Sequence, residues 1–134
     1  MNCEAVKTGG KSVALEKAKA FAVRIVKMAL HIRKTKKDFI LSDQVFRSGT
    51  SIGANLSEAV YASSRKDFRN KHAIALKECA ETLFWLDLLH ETGFLAASAH
   101  RSMRADCEEL RKILVSITKT VSATPAPQPP PLNS

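Results

Sequence analysis

The side chains best suited to chemistry in this sequence are cations, and they are unevenly placed. Residues 1–37 hold ten Lys or Arg against two Glu, whereas residues 38–134 hold eleven of each sign. The early part of the chain therefore carries the whole net charge of +8. At about 100° per residue, Lys17, Arg24, Lys27, His31 and Lys34 fall at about 0°, −20°, −80°, −40° and −100°, one side of a helix. Lys36 and Lys37 stand at its end. A solvated face ordinarily mixes signs, but the only acid on this helix is Glu16. One-sided positive charge favours polyanions, and phosphate contact needs only charge and reach. The expectation is a stripe of Lys17, Arg24, Lys27, His31, Lys34, Lys36 and Lys37 that binds RNA or DNA through backbone phosphates. No aromatic residues interleave with it, which speaks against stacking on single-stranded bases. A solubilising face, or one for an acidic protein partner, is the competing reading.

A second polar set lies in Phe46-Arg47-Ser48-Gly49-Thr50-Ser51-Ile52-Gly53-Ala54-Asn55-Leu56-Ser57-Glu58-Ala59. Arg47, Ser51, Asn55 and Glu58 share one helical stripe. Folding back about a turn near residue 63 brings Arg47 level with residues 79–80, within reach of Glu78 or Glu81. These six residues are expected to form a buried polar network that fixes helix register. The alternative is a ligand or nucleic-acid site. Gly49 and Gly53 each cost about 1 kcal/mol relative to Ala in a helix, so a close neighbouring backbone must offset them. Leu83-Phe84-Trp85-Leu86-Asp87-Leu88-Leu89 points large apolar groups all around a helix, although a bundle helix buries only one stripe. Phe84, Trp85 and Leu88 are therefore expected at an oligomer interface.

Nothing points to catalysis. A di-iron bundle needs Glu-x-x-His pairs, and the residues three after Glu16, Glu58, Glu78 and Glu81 are Lys19, Tyr61, Glu81 and Phe84. His72 falls near an inner helical track, while His90 and His100 flank Gly93. Cys3, Cys79 and Cys107 form no C-x-x-C pair and suggest neither a disulfide framework nor a zinc site. The expectations are no enzyme activity, no metal, no cofactor, no membrane span and a reduced, cytoplasmic compartment.

Four helices must position these residues. The first runs over about 13–37 behind Ser12, with Leu15, Ala18, Ala22, Ile25, Ala29 and Ile32 as its seam. The second follows Ser42 as N-cap to about residue 62, with Leu41 and Phe46 as a hydrophobic staple. The third starts from the capping-box pattern Ser64-Arg65-Lys66-Asp67 and ends at Gly93, which suits a left-handed C′ position with Leu89 at C3 and Phe94 at C″. The fourth spans about 99–121, through Met103, Cys107, Leu110, Leu114, Ile117 and Val121. Short connections make these an antiparallel up-down-up-down four-helix bundle, an all-α fold. The expected organisation is a flexible leader at 1–11, the bundle at 12–122 and a proline-rich disordered tail at 123–134.

The stretch Phe46–Ala59, then Asp67-Phe68, Ile74-Ala75-Leu76-Lys77-Glu78-Cys79-Ala80-Glu81-Thr82 and Trp85-Leu86, resembles the bacterial four-helix-bundle family encoded within intervening sequences of 23S ribosomal RNA genes. The likeness runs from about Leu15 to Val121. That family is related to the accessory variability protein of diversity-generating retroelements. The resemblance implies a bundle that often assembles as a homopentamer and has no known catalytic activity. Its retroelement relatives bind nucleic acid and a reverse transcriptase through a positive surface. Arg47, Asn55, Glu58 and Glu81 fall on the family's typical polar positions. An oligomeric scaffold for such a protein partner, without direct nucleic-acid contact, is the alternative function.

Overall fold

The computed structural model describes residues 12–123; the expected leader and the tail from residue 124 lie outside them. Four helices follow one another: α1 (Val13–Lys36), α2 (Ile40–Ala59), α3 (Arg65–Glu91) and α4 (Ala97–Ala123). Among the described residues there is no strand. Each helix packs on the next, and α1 and α4 close the ring across the most sparsely contacted of the four seams. The protein is an all-α, antiparallel four-helix bundle.

Local chemistry sets the ends. Ser12 accepts a hydrogen bond from the Leu15 amide (3.1 Å) and caps α1. Lys37 ends that helix in the left-handed region at φ 57°, with Arg33, Lys34 and Lys36 in the last turn, where cations suit the helix dipole. Helix α2 begins three residues earlier than its sequence suggests. Ser42 lies inside it, and the Asp38 carboxylate caps it by accepting from the Ser42 amide (2.8 Å). A carboxylate four residues upstream outcompetes the serine. The staple role expected of Leu41 and Phe46 lapses with that shift, and the Phe46 ring instead lies 5.5 Å beneath the Arg33 guanidinium.

Ser64 caps α3 through the Asp67 amide (3.0 Å). The Asp67 carboxylate reaches back one residue further than expected, to the Ser63 amide (3.3 Å). At the other end the Phe94 amide donates to Leu89 O (2.8 Å) and the Gly93 amide to His90 O (3.1 Å). Gly93 sits at φ +85°, completing the Schellman arrangement that the sequence spells out. Helix α4 starts two residues earlier than expected and runs on through Ala123, so the tail cannot begin at 123.

The core is one apolar column. Phe21, Ile25 and Ile32 of α1, Val45 and Ile52 of α2, Leu86 and Leu89 of α3, and Leu110 and Leu114 of α4 are all buried. Gly49 and Gly53 face α1 unequally. A Cβ at Gly49 would meet three atoms of Ile25 at 2.7–2.9 Å, whereas one at Gly53 would find Ala18 at ordinary contact distances of 3.6–3.7 Å. Two thiols sit in the same column. The Cys107 Sγ lies 3.5 Å from Cys79 O. Its hydrogen bonding to Cys79, together with burial, pushes the Cys107 thiol far above the usual range.

Candidate nucleic-acid interface

The basic stripe of α1 divides in two once its neighbours are in place. In the N-terminal half, Lys17 Nζ lies 3.1 Å from Glu109 Oε1 on α4. Arg24 donates to Asp106 Oδ2 at 2.6 Å and to Ser102 Oγ at 2.8 Å. These two cations are spent across the α1–α4 seam. In the C-terminal half, Lys27, His31, Lys34, Lys36 and Lys37 are exposed. None of the five makes a side-chain hydrogen bond or ion pair among the described residues. Arg33, between them, is taken up by Asp43 and by Ser42 Oγ (3.2 Å).

The second constellation also separates. Arg47 pairs with Glu81 and lies 3.6 Å from Glu78, so the expected register holds. Glu81 Oε2 accepts a further bond from Trp85 Nε1 (3.1 Å). Yet the Arg47 side chain is 54% exposed, so this network is a surface feature and not the buried one expected. Ser51 and Asn55 do not join it. The Ser51 hydroxyl donates to Arg47 O (2.6 Å) and the Asn55 amide to Ser51 O (2.8 Å), one turn back on the same helix. Glu58 pairs separately with Lys71 at 2.8 Å, which raises the lysine's pKa. The buried polar link between α2 and α3 is instead Ser48 Oγ with Thr82 Oγ1, 3.0 Å apart and both 0% exposed. Sequence reading missed this pair because two small hydroxyls on apolar tracks look like filler.

Of the residues expected at an oligomer interface, Phe84 is 58% exposed, whereas Trp85 and Leu88 are half-buried. The Phe84 and Trp85 rings meet edge-on at 5.0 Å. His72 is buried beside Phe68, its Nδ1 donating to Phe68 O at 2.9 Å, and burial lowers its pKa. Among the described residues no group of three His, Cys, Asp or Glu side chains gathers to hold a metal. No described helix is long and apolar enough to cross a membrane.

Fold and surface together define an all-helical bundle with a cluster of unpaired lysines at the C-terminal end of its first helix. The chain belongs to the 23S rRNA-intervening sequence protein family, whose model matches residues 11–116. It is also similar to a crystal structure from Bacteroides thetaiotaomicron VPI-5482, described as a protein of unknown function from the S23 ribosomal protein family. That structure shares 47% identity and a TM-score of 0.79, over 80% of this chain and 99% of the other. No curated protein matches the sequence.

Proposed function

We propose that the protein is a cytoplasmic, non-enzymatic accessory that binds RNA or DNA phosphates through the C-terminal half of α1. The observation that carries this reading is the set of exposed Lys27, His31, Lys34, Lys36 and Lys37, all unpaired among the described residues. Acids from neighbouring helices take up Lys17, Arg24, Arg47 and Lys71; other bare cations, such as Lys19, Lys77 and Lys119, are scattered over the bundle, whereas four bare lysines fall within residues 27–37. Lysines without an acid keep their attraction for phosphate, and several on one helix present it at regular spacing. In the same reading the chain assembles as a homopentamer through Phe84, Trp85 and Leu88, which repeats the cationic end and multiplies its avidity. Fluorescence polarisation with labelled duplex and single-stranded probes at two salt concentrations tests the binding. Affinity should fall steeply with salt and vary little with sequence. No binding at low salt overturns the proposal, and a monomer by light scattering overturns the assembly.

A further inference from the structure

The end of the bundle that carries the lysine cluster also holds an apolar cavity. It opens where α1 finishes and α3 turns into α4, and its volume is about 490 Å³, within the ~300–1,000 Å³ usual for small-ligand sites. Met28 and Ile32 of α1 line it together with Phe94 and Leu95 of the turn. Lys36, one of the unpaired lysines, and His31 line it as well, and His90 reaches it from α3. Cations and aromatic surface, which the sequence keeps some sixty residues apart, thus share one site.

The aromatic side is fixed in place. The Schellman bonds of the α3 terminus set the backbone of Phe94. His90 Nδ1 donates to Leu95 O at 3.0 Å, and its ring stacks on His100 at 4.5 Å and 11°. His100 is held in turn by Asp87 at 2.8 Å.

A duplex offers this cavity nothing, because its bases are paired and stacked inside. An unpaired strand presents bases that need apolar and aromatic surface, with a phosphate on either side of each. We infer that the cavity receives one unstacked base of a single-stranded nucleic acid, while Lys36 on its wall and Lys37 beside it hold the flanking phosphates. The inference rests on the phosphate-binding reading above and names its substrate as strand over duplex. A free nucleotide presents the same chemistry, so the experiment includes one.

The test compares labelled oligouridylate, a duplex of matched length and uridine monophosphate, at low salt, on the full chain and two variants. Ala97 lines the cavity and is exposed, so Ala97→Leu adds bulk there without entering the core. Phe94→Leu keeps an apolar side chain after the helix and removes only the ring. The strand should bind more tightly than the duplex. Each variant should weaken strand binding by about 5- to 100-fold, the range of one base–aromatic stack, with duplex affinity unchanged. Equal affinity for strand and duplex, or variants without a selective effect on the strand, overturns the inference and leaves phosphate binding by α1 standing. Uridine monophosphate binding as tightly as the strand overturns it in favour of a free nucleotide. Failure of both strand and duplex to bind removes the two readings together.

Discussion

The two halves of α1 both carry cations and meet different surroundings. Along the first half, α4 supplies Glu109 and Asp106 opposite Lys17 and Arg24. Along the second, no described acid answers Lys27, Lys34, Lys36 or Lys37. A helical-wheel projection treats these residues alike, but the field they present outward differs, because a cation beside a carboxylate has little left for a third party. The partner that decides availability lies some eighty to ninety residues away in sequence. Packing beneath the two halves differs as well: Gly53 leaves Ala18 room, while Gly49 is pressed against Ile25.

The sharpest way to break the comparison is to strip each half in turn. Replacing Lys27, Lys34, Lys36 and Lys37 by Ala should abolish most nucleic-acid binding. It should flatten the log–log salt slope by about 0.9 per lost contact on duplex DNA, or about 0.7 on a single strand. Replacing Lys17 and Arg24 should leave the slope nearly unchanged. Equal effects from the two halves would show that the α1–α4 ion pairs do not sequester charge.

The packing contrast predicts opposite signs for one substitution. Gly49→Ala should destabilise by about 1–3 kcal/mol in urea unfolding, because the new methyl must displace a buried, β-branched Ile25. Gly53→Ala should stabilise by up to about 1 kcal/mol, gaining helix propensity without a clash. Smaller effects are expected where the polar contacts are wet. Arg24→Ala and Arg47→Ala should each cost about 1 kcal/mol or less and be sensitive to salt, since both guanidinium groups are substantially exposed. A loss of about 3 kcal/mol at Arg47 would restore the buried network that its sequence position suggests.

The smallest contrast sets the surface imidazole His31 against the buried one of His72. Burial depresses the folded-state pKa of His72 below its ordinary value. The folded protein therefore binds fewer protons than the unfolded chain, and stability present above the ordinary imidazole pKa should fall as pH drops below it. Thermal unfolding followed between neutral and mildly acidic pH should show that loss shrink in His72→Gln.

Helix identity was legible because periodicity and caps agreed, most clearly from Ser64 to Gly93, where both ends carry their own chemical signature. The start of α2 was not, since Asp38 and Ser42 can each cap a helix start, at different residues, and only geometry decides between them. In the candidate site, residue types and helical phase revealed the cations. Their pairing, the exposure of Arg47, the Ser48–Thr82 link and the Phe94 cavity all depend on contacts between helices, which a linear pattern does not encode.

The buried thiols of Cys79 and Cys107 have a use beyond packing. Thiolate is the nucleophile that attacks alkylating reagents, and both sulfurs are enclosed, with that of Cys107 held protonated. Modification of the peptides that contain them must then wait for α3 and α4 to part. Followed by mass spectrometry, the extent of labelling against time becomes a clock for how often this bundle opens, and for how far a bound nucleic acid slows it.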